Sequence, residues 1–109
     1  MADVLGAFEQ VVLLSVLRLQ DEAYGSAVAL AVQSRLQRHV SYGAVQATLV
    51  RLQAKHLVSS RLGPGTPIRA GHPRRYYVLK PKGLLALDEA RQTLKDIWRG
   101  VQLPRPEEL

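Results

Sequence analysis

The chain has 109 residues, 47% of them apolar, no cysteine and a formal charge of +6, enough for one compact domain with its own core. The missing thiols exclude disulfides, thiolate zinc sites and a cysteine nucleophile, and His39, His56 and His72 are too widely spaced for a local metal motif, so no metal or cofactor is expected. All nine acids lie toward the ends, and the acid-free stretch from Ala23 to Leu87 carries Arg35, Arg38, Arg51, Lys55, Arg61, Arg69, Arg74, Arg75, Lys80 and Lys82, a one-sign field that attracts polyanions.

In chain order, residues 4 to 19 predict a helix. Leu5, Phe8, Val12 and Leu19 recur at helical spacing, and Val11, Leu13, Leu14, Val16 and Leu17 widen the apolar stripe to most of the circumference. Such a helix must be buried on several sides, which in so small a chain implies a second subunit. A second helix runs from about Tyr24 to Arg38 with Val28, Ala31, Val32 and Leu36 on one face. Ser41 reads as an N-cap for a third helix, Tyr42 to about His56, whose inward stripe is Val45, Leu49 and Leu52. Gly43, Ala47 and Ala54 then lie outward, flanked by Gln46, Val50 and Arg51. A β-rich run from Leu57 to Leu62, a Gly/Pro turn at residues 63–67 and a strand from Arg74 to Leu79 predict a hairpin with a long basic tip. Pro81 opens a last helix, about Pro81 to Arg99, in which Leu87, Ala90, Leu94, Ile97 and Val101 form an a/d seam.

The fold class is therefore mostly α with a small β-hairpin: a winged helix-turn-helix with a C-terminal dimerisation helix. Residues 1–79 make the winged helix domain, 80–101 the dimerisation helix and 102–109 a flexible tail. The apolar run Val11 to Leu17 is short of the roughly 20 residues that span a membrane. Its acidic approach is unlike a secretory signal, so a cytoplasmic protein with no membrane partner is expected.

Six stretches in order carry a family resemblance: residues 8–14 (FEQVVLL), 22–25 (EAYG), 41–52 (SYGAVQATLVRL), 57–58 (LV), 74–79 (RRYYVL) and 82–83 (KG). Across residues 5 to about 98 the chain resembles the small PadR-like bacterial transcriptional regulators. The resemblance implies a winged helix dimer, joined through its last helix, that represses transcription. It also implies that compact members can take small planar hydrophobic molecules between subunits. The chain departs from the family's usual tyrosine at Gln46, glycine at His56 and threonine at Lys80. The glycine departure implies left-handed or strained backbone at His56. The threonine departure removes a cap and places positive charge at a helix N-terminus.

The expected DNA-binding residues are Ser41, Tyr42, Gly43, Gln46, Ala47, Arg51 and Lys55 on the third helix, and Arg69, His72, Arg74 and Arg75 on the wing. Small outward residues let a helix approach the major groove, where Gln46 can pair with adenine and Arg51 can reach guanine or phosphate. Tyr42 either contacts a phosphate or packs, and one of Tyr76 and Tyr77 should face the core. The expected homodimer interface comprises Leu5, Phe8, Val12, Leu87, Ala90, Leu94, Ile97, Trp98 and Val101. Trp98 is either a plain anchor there or a stacking platform for a planar ligand, with Asp96 near enough to favour a cationic one. No nucleophile–base pair or phosphate-binding glycine loop supports catalysis. The reading is a non-enzymatic, sequence-specific regulator of double-stranded DNA that recognises an inverted-repeat operator, probed against two alternatives: an RNA-binding protein and a non-catalytic dimeric interaction module.

Overall fold

The computed structural model describes residues 5–65 and 73–109. Helix α1 spans Ala7–Leu19. The Glu9 carboxylate accepts the Gly6 N–H at 3.0 Å, so the helix starts three residues later than the apolar pattern suggests. Leu5, Val12, Leu13 and Val16 are buried within this one chain. Leu5 and Val12 therefore belong to the protomer's own core and are not free for a subunit interface, and Phe8 packs against that same core. The apolar side of α1 left open is Leu14 and Leu17, each 45% exposed.

A 3-10 turn at Gln20–Glu22 leads to α2, Gly25–Leu36, which buries Val28, Ala29 and Val32. It ends where Gln37 takes a left-handed φ of 53°, its N–H returning to the Gln33 carbonyl at 2.8 Å. Helix α3 is Tyr42–Ala54, capped by Ser41, whose Oγ accepts the Ala44 N–H at 3.1 Å. Its buried face is Val45, Thr48, Leu49 and Leu52. Thr48 is tolerated there because its hydroxyl donates to the Ala44 carbonyl at 2.9 Å.

His56 sits at φ 64°, the left-handed conformation foreseen for a residue standing where glycine is usual, and it ends α3 two residues early. Strands β1 (Val58–Gly65) and β2 (Pro73–Leu79) then pair antiparallel, Val58 with Leu79 and Ser60 with Tyr77. The register slips between Leu62 and Gly65. This irregularity lets Gly63, Pro64 and Gly65 continue the strand where sequence alone reads a turn. Tyr24 bridges Tyr76, and the Tyr77 N–H donates to the Ala23 carbonyl at 2.8 Å. The hairpin is thus tied to the start of α2. Tyr77 is the buried tyrosine of the pair.

Helix α4, Pro81–Trp98, has Lys80 at its N-cap with no side-chain capping bond. It is anchored only at its first turns. Gly83 is buried so tightly that a Cβ there would run into the Leu57 carbonyl, and Ala86 and Leu87 pack on the core. From residue 91 onward every residue is exposed. Val101 lies beyond the helix end, after Gly100 at φ 77°, so the seam expected to reach it stops at Trp98. Residues 102–109 are exposed and include a 3-10 turn, Pro106–Glu108. No helix of the described residues is long and apolar enough to cross a membrane.

Candidate nucleic-acid interface

The inward stripe of α3 fixes what faces out. Gly43, Ala47, Val50 and Ala54 are exposed, Val50 by 65%, and a Cβ at Gly43 would meet nothing within 4 Å. The strip is open, small and apolar. It offers close approach and contact with thymine methyls, and it carries no hydrogen-bonding side chain of its own. Val50, a flanking residue by the helical pattern, is the most prominent group on it.

The two flanks of α3 are tied down differently. On one, Lys55 Nζ lies 3.0 Å from Glu9 Oε2. Burial would raise the Glu9 carboxyl, but the Gly6 N–H, the Lys55 ammonium and the nearby Arg51 charge outweigh it and hold the group below its ordinary value. Lys55 is therefore paired with α1 within the free chain, its side chain still 35% exposed. Arg51 is exposed, and its Nη2 donates to Thr48 Oγ1 at 3.0 Å.

On the other flank, Gln46 does not point out. Its side chain reaches back to α2, so that a Cβ at residue 25 would stand 2.5 Å from Gln46 Nε2 and 2.9 Å from Tyr42 Oη. Gly25, part of the 22–25 (EAYG) stretch but given no site role by the sequence, makes this approach possible. Tyr42, Gln46, Gly25, Ser26, Arg74 and Arg75 share one cleft of about 350 Å³. The Arg74 guanidinium lies 4.0 Å over the Tyr24 ring. Tyr24 meets Tyr76 edge-on at 5.7 Å, and Arg61 covers Tyr76 at 5.0 Å. Arg75 donates to Ser60 Oγ at 3.0 Å, which donates to Gln53 Oε1 at 2.9 Å. These contacts join wing and α3 into one surface. The structure brings Ser41, Tyr42, Gly43, Ala47, Arg74 and Arg75 to it, whereas Arg69 and His72 lie outside the described residues.

The second feature is a groove of about 670 Å³ between α1 and α4, lined by Leu14, Leu17, Leu84, Leu87, Leu94 and Trp98 and edged by Asp88, Arg91 and Lys95. Leu87, Leu94 and Trp98 fall within a narrow arc of α4 at about 100° per residue, so Trp98 lies in the seam and not beside it. Ile97 and Ala90 form the adjoining edge. Asp96 is paired with Arg99 at 2.8 Å on the exposed side and does not line the groove.

Three helices, a helix-turn-helix formed by α2 and α3, and a β-hairpin wing docked on the start of α2 define the class: a winged helix-turn-helix protein. No family model matches the chain, and no curated protein sequence matches it. Solved structures do. A PadR-like transcriptional regulator from Bacillus cereus is 26% identical, with 88% of this chain and 95% of that one covered at a TM-score of 0.64. A PadR-like transcription factor from Bacteroides fragilis is 29% identical, with 82% and 81% covered and a TM-score of 0.66. A PadR family transcription regulator from Clostridium difficile is 25% identical, with 84% and 91% covered and a TM-score of 0.62. The chain shares its winged helix fold with these PadR-like regulators and is similar to them over most of its length.

Proposed function

We propose that this chain is a homodimeric, sequence-specific regulator that binds double-stranded DNA and represses transcription, in the manner its PadR-like fold implies. The observation that carries this is the surface just described: an open, small-residue strip on α3 beside Arg74 and Arg75 on the wing, within a stretch free of acids. In the dimer, α3 of each subunit would enter successive major grooves of an inverted repeat. Residues 1–79 would act as the DNA-binding unit, 80–101 as the dimerising helix and 102–109 as a tail.

The α1–α4 groove supports the second half of the proposal. A second copy covers most of it, and the space left beside Trp98 takes a small planar hydrophobic ligand. By linkage, a ligand that changes the angle between subunits also changes the spacing of the two α3 helices.

The test is binding of the purified protein to duplex DNA, single strands and RNA across a salt series. With about three phosphate contacts per subunit, the dimer's log–log salt slope on duplex should be near −5. Preference for RNA would favour the alternative RNA-binding reading, and binding to none would leave a dimeric interaction module.

A further inference from the structure

We propose that the cleft between the start of α2, the start of α3 and β2 is an oxyanion site that holds one phosphate of the DNA backbone, with Gln46 as a phosphate donor and not a reader of base edges. The inference deepens the duplex-binding reading given above. It assigns to Gln46 and Gly25 a role that the outward-facing pattern of α3 does not suggest.

The cleft is built almost entirely from donors. Tyr24, Gly25, Ser26, Tyr42, Gln46 and Arg74 line it together with Arg75 and Tyr77, and no carboxylate does. Two of its nitrogens, Gln46 Nε2 and Arg74 Nε, are shut off from solvent with no hydrogen-bond partner among the described residues. Buried donors without an acceptor are costly and uncommon in folded proteins. Both flank one cleft, and a small turn of the Gln46 and Arg74 side chains toward a phosphate entering it would give each donor an acceptor.

Arg74 is preorganised for that task. Its guanidinium carbon lies 4.0 Å from the Tyr24 ring centroid, a cation–π contact that holds the side chain beside the cleft. Tyr24 is itself positioned by Tyr76, which its backbone bridges and whose ring it meets edge-on. Gln46 is held back from the outward strip by its seat against Gly25. The first turn of α2, whose N-cap Tyr24 contributes no side-chain bond, adds unpaired backbone N–H groups at the same place. These features fit a phosphodiester, whereas a base edge would have to be reached from the outward strip.

The decisive variant is Gln46→Glu, nearly isosteric but acceptor-only. If the cleft holds a phosphate, the added negative charge should weaken duplex binding by about tenfold or more, and by the same factor on selected and random sequences. In the base-reading alternative, Glu would accept from cytosine N4. Random-duplex affinity would then persist while base preference moved, and that result overturns the proposal. Tyr42→Phe, at a 55% exposed residue, removes one donor with little risk to folding and should weaken both duplexes equally. The free-anion arm uses inorganic phosphate on the wild-type protein without DNA, followed by NMR of the Arg74 Nε–H and the Gln46 side-chain amide. Both resonances should shift in the wild type, and in Gln46→Glu, which has no side-chain amide, the Arg74 resonance should not. If the wild type binds no duplex yet phosphate moves these resonances, the regulatory reading falls and the anion site stands. If duplex binds and phosphate leaves both resonances unmoved, the anion site falls alone.

Discussion

Trp98→Ala should separate the subunits. Trp98 is 46% exposed in the protomer, and an aromatic of its size buries about 200 Å² when fully covered. Nearly half of that remains to be covered by a partner. At about 25 cal/mol per Å² this is worth about 2 kcal/mol per copy. A two-fold interface counts each residue twice, so the dimer should lose about 4 kcal/mol, close to a thousandfold in dissociation constant. The internal control is Leu85→Ala. Leu85 is 70% exposed but faces nearly opposite to Leu87 at about 100° per residue, so its removal should leave assembly unchanged. Sedimentation velocity from nanomolar to tens of micromolar reads both variants. A folded wild-type monomer at micromolar concentration would refute the reasoning, as would equal effects of the two substitutions, which would mean that another face of α4 is covered.

His56→Gly should stabilise the fold by about 0.5–1 kcal/mol, since a left-handed φ costs an L-residue roughly 1–2 kcal/mol and glycine returns part of that as unfolded-chain entropy; a urea midpoint that falls would contradict it. Gly83→Ala should destabilise by more than about 2 kcal/mol, because its Cβ meets the Leu57 backbone carbonyl and not a movable side chain; thermal melts check this. The lowered pKa of Glu9 gives stability that is present above the unfolded-state carboxyl value and is lost as pH falls through the folded value. Glu9→Gln should therefore cost about 1 kcal/mol or less at neutral pH, given the partly exposed Lys55 partner, and should flatten the acid limb of a stability–pH curve measured between pH 3 and 6.

Much of this architecture was legible before the structure, and for identifiable reasons. The helical stripe Val45, Leu49, Leu52 fixes the orientation of α3, Ser41 announces its cap, and the alternation in Tyr76–Tyr77–Val78 puts one ring inward. Periodicity failed where an apolar residue had two potential partners. Nothing local says whether Val12 meets its own α3 or another subunit, so a helix apolar nearly all round was credited to the interface when most of it is core. Periodicity also does not say where the long side chains of Lys55 and Gln46 go. Their places on the helical wheel are correct, but long side chains go where a partner is, and the partners, Glu9 and the bare backbone of Gly25, come from other helices. The one available signal for the second was the family's usual tyrosine at Gln46, which marks the position as non-equivalent to an ordinary outward residue.

These corrections change how specificity should arise. With Gln46 withdrawn and Lys55 paired with Glu9, the outward strip of α3 is Gly43, Ala47, Val50 and Ala54, none of whose side chains can donate to or accept from a base. Direct readout from the strip itself would then be limited to apolar contact, above all Val50 against a thymine methyl, with the exposed Arg51 beside it. The remaining discrimination must come from how well a sequence accepts the groove width and bend that the two-fold geometry imposes. On the proposed reading, affinity and register would come from the cleft and the wing, where Arg74 is held by Tyr24 and Arg75 by Ser60. The helix is pinned on one flank by Glu9 and on the other by Gly25, so it can be placed accurately against the duplex while its exposed side stays chemically plain. Placement relative to the second subunit then becomes the variable that matters. In the proposed dimer that variable would be set by the α1–α4 groove, which would couple recognition to anything that changes the packing around Trp98.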